Sequence, residues 1–320
     1  NATGPWSDQV RKLAGETGSD LVKPTKGVHI IMSDVGLNAA MLLLHPKDGR
    51  VFFIIPWLNR TLVGTTDTEW DGQLGKVSAT AEDINYLVEG FAHFLKPAVK
   101  PEVIQSFAGL RPLFNAEASP SSRSREFKLH LGSNGLFSAV GGKYTTYRVM
   151  GKDVVDRAVI ELRRITQDSV TEKLPLVGAD GYFALEQQKE RIAQEAGIDV
   201  ETVTHLLNRY GSLISEVLEL IDQEPKLAKK LDADLPYIKA EIVYAATHEG
   251  ARTVDDVISR RTRLAFEAEG HGVHLADEVG ALIAPVLGWS AKERKESVAA
   301  YEELVDRELA ALDELLEANS

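Results

Sequence analysis

The hydrophobic period of this chain changes once, near residue 180, and that change limits what it can fold into. From 27 to 149, short apolar runs recur with turn residues between them, the pattern of strands. Runs at 27–32, 40–44, 51–57 and 61–66 predict strands, the second and third joined by a Pro46-Lys47-Asp48-Gly49 turn. A helix is expected over 81–95, with Thr80 as N-cap and Asp83 at its third position, close to a capping box. Strands follow at 103–110, 125–131 and 136–140. A helix is then expected over 144–164, ending in Arg163-Arg164, which suits the negative end of a helix.

Beyond 183 every strong period is near that of an α-helix, about 3.6 residues. Helices are expected over 184–196, 200–208, 211–221, 235–248, 253–259, 276–287 and 291–317. In the last, Val298, Tyr301, Val305, Leu309, Leu312 and Leu316 form one stripe opposite Glu302, Glu303, Asp306 and Glu314. The fold class is therefore α+β. A mixed, largely antiparallel sheet domain over 1–180 precedes an all-α domain over 181–320, with a linker over 172–181 where Pro175, Gly178 and Gly181 cluster.

Charge follows the same division. The net charge of −12 is carried by the helical part: residues 1–180 hold 21 Lys/Arg against 20 Asp/Glu, and 181–320 hold 15 against 28. Such an acidic chain repels nucleic acid, which argues against that class of partner. Zero cysteine excludes disulfides, thiolate metal sites and a cysteine nucleophile. No apolar run approaches the ~20 residues of a membrane span. The eight histidines show no metal-ligand spacing, so no metal is assigned. Asn1-Ala2-Thr3-Gly4-Pro5-Trp6 reads as the end of a strand entering a tight turn.

Three features of the strand-rich part carry chemistry. Gly141-Gly142-Lys143-Tyr144-Thr145-Thr146-Tyr147-Arg148 follows an apolar strand and opens a helix. Paired glycines let backbone approach a ligand, and a helix N-terminus presents N–H groups to an anion or carbonyl oxygen. The same residues also suit an ordinary strand-to-helix turn, and the spacing is not that of a phosphate-binding P-loop. Arg111, between Leu110 and Pro112, suits bidentate binding of phosphate or carboxylate, or a structural ion pair; Arg123 and Arg125 add two guanidiniums before the next strand. His29 faces opposite to Val28 and Ile30 in its strand, as a proton carrier or as a satisfied structural residue. In the helical part, Arg260-Arg261-Thr262-Arg263 is expected to pair with Asp255 and Asp256 rather than to bind an anion.

Taken in order, 26–29, 53–57, 64–67, 108–113 and 141–148 (Lys-Gly-Val-His, Phe-Ile-Ile-Pro-Trp, Gly-Thr-Thr-Asp, Ala-Gly-Leu-Arg-Pro-Leu and the Gly-Gly-Lys turn) resemble the FAD-dependent, respiratory glycerol-3-phosphate dehydrogenases and the related glycerophosphate oxidases. The helical part, including 256–263, is similar to that family's C-terminal domain. The resemblance implies oxidation of sn-glycerol 3-phosphate to dihydroxyacetone phosphate, with hydride passing to FAD and electrons then to quinone. It implies a catalytic set of His29, Arg111 and Lys143, with Arg111, Arg125 and Lys143 binding substrate. Ala2, Thr3, Gly4, Gly142, Lys143, Tyr144, Thr145 and Thr146 would meet the cofactor, the backbone N–H groups of 143–146 at the flavin's pyrimidine edge.

Family members carry a Gly-x-Gly-x-x-Gly turn for the FAD pyrophosphate. None occurs here: Gly270-His271-Gly272 is followed by Val273, His274 and Leu275. The resemblance therefore implies that roughly the first third of the enzyme lies ahead of Asn1, so that this stretch alone would lack FAD and activity. It also implies a cytoplasmic location, extending to peripheral attachment at the inner face of the cell membrane, and it is compatible with a homodimer. The acidity of the helical part argues against direct contact with anionic lipid. A non-catalytic binding module for a phosphorylated small molecule, or an oxygen-using oxidase, would use the same cationic residues.

Overall fold

The computed structural model of the chain describes residues 1–95, 102–115 and 126–319. They form two units, one of residues 1–174 together with those from Ala310 onward, the other Pro175–Leu309.

The first unit is built on one antiparallel sheet. Its strands are β1 (Val22–Ser33), β2 (Met41–Leu44), β3 (Val51–Trp57), β4 (Arg60–Gly64), β5 (Thr68–Glu69) and β6 (Val103–Phe114), in the order β2-β3-β4-β1, with β5 and β6 also on β1. The 46–49 turn joins β2 to β3 as its sequence requires, setting Leu44 opposite Val51. β1 is twice as long as the run at 27–32 because it begins at Val22, through Pro24. The register sets Pro24 opposite Pro112, so the two missing N–H donors fall on one rung.

Alternation sorts the sheet's two faces. Val28, Ile30 and Met32 of β1, Phe52 and Ile54 of β3 and Val63 of β4 are buried on one face, with Ile84, Leu87 and Phe91 of helix α2 (Ala81–Phe94). The helix has the expected capping box: Asp83 N–H donates to Thr80 Oγ1 at 3.3 Å and Thr80 N–H to Asp83 Oδ2 at 3.0 Å. Asp83 also receives Lys26 Nζ at 2.5 Å, a buried ion pair between helix and sheet.

A second hairpin, β7 (Lys128–Leu131) and β8 (Phe137–Val140), stands apart from this sheet. Asn1 runs beside β8, its amino group donating to Phe137 O at 2.7 Å and its carbonyl accepting from Ala139 N–H at 2.9 Å. The turn that follows is a 3-10 turn, Gly4–Trp6, leading into α1 (Ser7–Leu13), which has no counterpart among the expected helices. Seven residues with Arg11 and Asp8 turned inward carry little apolar periodicity. The helix expected over 144–164 is shorter than its pattern. Tyr144–Thr146 form a 3-10 turn, and α3 covers Tyr147–Glu161. Arg163, at φ 50°, takes the left-handed conformation that ends a helix instead of extending it.

The second unit is helical throughout. Its helices are α4 (Tyr182–Glu186), α5 (Lys189–Ala196), α6 (Val200–Tyr210), α7 (Ile214–Gln223), α8 (Lys239–Thr247), α9 (Leu264–Glu267), α10 (Ala276–Leu287) and α11 (Ala291–Asn319), the last continuing into the residues grouped with the first unit. The run expected at 184–196 is broken at Gln187-Gln188, and α8 starts after Pro236 instead of at 235. At 256–261 the backbone widens into a π-helix, where Arg260 pairs with Asp255 at 2.6 Å and Asp256 at 3.2 Å, as expected.

Glu241 of α8 is fully buried. It is satisfied by His205 Nε2 at 3.0 Å, Tyr210 Oη at 3.1 Å and Ile238 N–H at 3.0 Å, with Arg209 Nε at 3.6 Å. Removing one partner of a buried charged network strands the others in a low dielectric. Glu241→Ala is therefore expected to cost about 3 kcal/mol in a denaturant titration, far more than Glu302→Ala on the exposed face of α11.

Candidate functional site

The face of the sheet opposite α2 carries the site. Residues paired across an antiparallel ladder share a face, and the register between β1 and β6 sets Thr25 opposite Arg111, Gly27 opposite Gly109 and His29 opposite Phe107. On the other flank His29 stands opposite Gly64 of β4. His29 and Arg111, singled out separately in the sequence, thus belong to one surface.

Glycines make room for both. A Cβ on Gly64 would lie 2.0 Å from His29 Cδ2, so the imidazole occupies the space a side chain would take. A Cβ on Gly27 would lie 2.2 Å from Arg111 Nη2 and 2.5 Å from Cζ and Nη1. These near-equal distances mean that the guanidinium lies face-on over the Gly27 backbone. Beside it, a Cβ on Gly109 would meet nothing within 4 Å, which leaves an open floor between Arg111 and Phe107.

The His29 ring stacks on Phe107, with centroids 5.2 Å apart and planes 6° from parallel. Burial pushes its pKa down to about 4, and the nearby Arg111 charge pushes in the same direction. The imidazole is therefore neutral at physiological pH, with a nitrogen able to accept a proton. Arg111 is tied to the segment after β4: Nη2 donates to Thr65 Oγ1 at 2.9 Å and to Thr66 O at 3.2 Å, and Nη1 lies 3.4 Å from Asp67 Oδ1.

The other expected residues lie elsewhere on the unit. Lys143, Tyr144, Thr145 and Thr146 form an exposed turn after β8. Gly141 and Gly142 enter it at φ 78° and 103°, and a Cβ on Gly141 would stand 2.9 Å from Glu126 O, so both conformation and space call for glycine. Neither the 3-10 turn nor α3 has a side-chain cap; Thr146 N–H donates to Lys143 O at 3.0 Å and Tyr147 N–H to Tyr144 O. Ala2, Thr3 and Gly4 run from Asn1, beside β8, to a position where a Cβ on Gly4 would touch Pro112 Cγ at 4.0 Å. They thus adjoin the residue next to Arg111. Arg125 and Arg123 lie outside the described residues. The sequence reading assigned no role to Gly27, Gly64, Thr65, Asp67 or Phe107, although Gly-Thr-Thr-Asp at 64–67 is one of the family-like motifs.

Two family models divide the chain between them. One, described as FAD dependent oxidoreductase, matches residues 1–148; the other, described as the C-terminal domain of alpha-glycerophosphate oxidase, matches residues 169–294. A flavin-dependent oxidoreductase sheet joined to a helical domain of this type defines the class. The chain belongs to the FAD-dependent glycerol-3-phosphate dehydrogenase family. It is 39% identical over 311 residues to glycerol-3-phosphate dehydrogenase 2 of Mycobacterium tuberculosis, covering 97% of this chain and 53% of the relative. It is 32% identical over 325 residues to a mitochondrial glycerol-3-phosphate dehydrogenase of Arabidopsis thaliana, covering 96% and 51%. The crystal structure of the Bacillus halodurans glycerol-3-phosphate dehydrogenase complexed with FAD superposes with a TM-score of 0.84 at 26% identity, covering 98% of this chain and 62% of that one. The chain thus spans about half the length of the curated relatives it matches.

The depressed His29 has consequences for both titration and stability. Between pH 6.5 and about 4 the unfolded chain binds a proton that folded His29 refuses, so stability falls as pH drops through that window. The slope from this group is at most about 1.4 kcal/mol per pH unit. NMR titration of the His29 Cε1 proton should give a midpoint near 4 in the wild type. Arg111→Met should raise that midpoint but leave it below 6.5, because burial is the larger cause.

Proposed function

We propose that the protein oxidises sn-glycerol 3-phosphate to dihydroxyacetone phosphate with FAD as hydride acceptor. The observation that carries this reading is a neutral, half-buried His29 and a fixed Arg111 on one open sheet face, in a chain of this family. FAD, when bound, supplies the two-electron acceptor for the C2 hydrogen. The Gly141-Gly142 turn, where backbone can come close to a ligand, and the exposed 3-10 turn at 144–146 that follows it suit the edge of a flavin ring. No Gly-x-Gly-x-x-Gly turn for the adenosine diphosphate end occurs in this sequence.

The chain's own residues account for the rest of the chemistry. Arg111 receives the phosphate dianion through charge-assisted hydrogen bonds, which selects the phosphorylated substrate over glycerol. His29 takes the proton from the C2 hydroxyl as the carbonyl forms; its pKa near 4 keeps the imidazole ready to accept at neutral pH. Burial of the ring against Phe107 keeps bulk water from one of its faces. Lys143 adds a second positive charge, and we assign it and Arg125 to the substrate as well. Ala2, Thr3, Gly4, Gly142, Tyr144, Thr145 and Thr146 complete the cofactor side of this reading. Delivery of electrons to a quinone, a cytoplasmic location at the membrane's inner face and a homodimer belong to the same proposal and rest on the family resemblance. Among the described residues no helix is long and apolar enough to cross a membrane. The description of the matched C-terminal domain favours a second reading, in which oxygen is the acceptor.

In the full-length, FAD-loaded protein, anaerobic sn-glycerol 3-phosphate should bleach the flavin absorbance and glycerol should not. His29→Gln should slow bleaching by about a hundredfold or more. The acid limb of kcat/KM should sit near the low His29 pKa, and peroxide release in air would identify the oxidase. A flavin that sn-glycerol 3-phosphate leaves oxidised would refute the proposal.

A further inference from the structure

Residues 65–67, between β4 and β5, bond to Arg111 and to the strand residue next to His29. Thr66 is fastened to β1 one residue before His29: Val28 N–H donates to Thr66 Oγ1 at 3.0 Å, and Thr66 N–H to Val28 O at 3.4 Å. Thr65 Oγ1 donates to Thr66 O at 3.1 Å, which turns its lone pairs toward Arg111 Nη2 at 2.9 Å. That nitrogen also donates to Thr66 O at 3.2 Å, so the segment receives it at two neighbouring oxygens. Asp67 lies 3.4 Å from Nη1 and is itself anchored, its carbonyl accepting from Arg50 Nη1 at 2.8 Å. Thr66 and Asp67 are buried.

An arginine side chain has enough rotatable bonds that ordering it on ligand binding is costly, and a guanidinium held in advance escapes that cost. Here the guanidinium has Gly27 beneath it and the 65–67 segment at its edge, and the same segment is tied to the backbone that carries His29. We propose that Thr65, Thr66 and Asp67 are positioning residues. They hold Arg111 face-on over Gly27 at a fixed offset from His29, so that an anionic substrate headgroup meets a cation already aimed. This rests on the assignment of Arg111 to substrate made above. None of the three need touch substrate.

The test uses the full-length, FAD-loaded protein. Thr65→Val should raise KM for sn-glycerol 3-phosphate about tenfold while leaving kcat within about twofold, because the lost interaction serves binding rather than the chemical step. Thr65→Ser, which restores the hydroxyl, should return KM to the wild-type value. Asp67→Asn, which keeps the side chain's shape, should also raise KM. A second readout does not depend on turnover: the rate at which phenylglyoxal labels Arg111, followed by peptide mass spectrometry. Labelling should be several-fold faster in Thr65→Val than in the wild type and slow again in Thr65→Ser. Wild-type KM and labelling rate in Thr65→Val would overturn the proposal. So would a KM increase that Thr65→Ser does not reverse, or one matched by loss of thermal stability and bound flavin. Should the wild-type flavin fail to respond to sn-glycerol 3-phosphate, the functional reading falls, and the labelling rates alone decide whether these residues hold Arg111.

Discussion

Antiparallel pairing puts directly opposed residues on one face, and the ladder between β1 and β6 therefore decides which side chains of the sheet can act together. With Gly27 opposite Gly109, His29 and Arg111 emerge on the same side and the apolar residues Val28, Ile30 and Met32 emerge on the other, under α2. A slip of one residue would turn His29 into the packed layer and expose Ile30. The energy that holds this register comes from the α2 side, where the buried apolar residues and the Lys26–Asp83 ion pair leave one alignment that satisfies both. Packing on the α2 side thus helps to place His29 and Arg111 on the other face, where Ile31 and Thr25 are buried as well.

Much of this was legible in the residues themselves. The hairpin at 46–49, the capped helix after Thr80, the change to helical period after 180 and the pairing of Arg260 with Asp255 and Asp256 all follow from local rules, and the structure has them. Local rules do not reach across the sheet. His29 and Arg111 are 82 positions apart in the chain, and only the β1–β6 register puts them on one surface. The roles of Gly27 and Gly64 are also nonlocal, because each accommodates a side chain from another strand. Helix ends differ from the sequence pattern where backbone conformation departs from it, as at the 3-10 turn before α3 and the left-handed Arg163.

The helical unit handles charge differently from the site. Its surface carries most of the chain's negative charge, yet its interior encloses Glu241, compensated on several sides. There a carboxylate is held by donors that leave it nothing further to bind, an arrangement suited to fixing how α6 and α8 meet. In the sheet unit, Arg111 is tied to Thr65 beside the open space at Gly109.

The two glycines under the site also bear on how such a gene can fail. A side chain at Gly64 would compete with the His29 ring, and one at Gly27 with the Arg111 guanidinium. In both cases the clash falls on a side chain of the proposed site. Lesions here would displace one of the two groups of the proposed site directly. Neither residue has a side chain with which to take part, yet each sets aside the space in which one of the two groups sits.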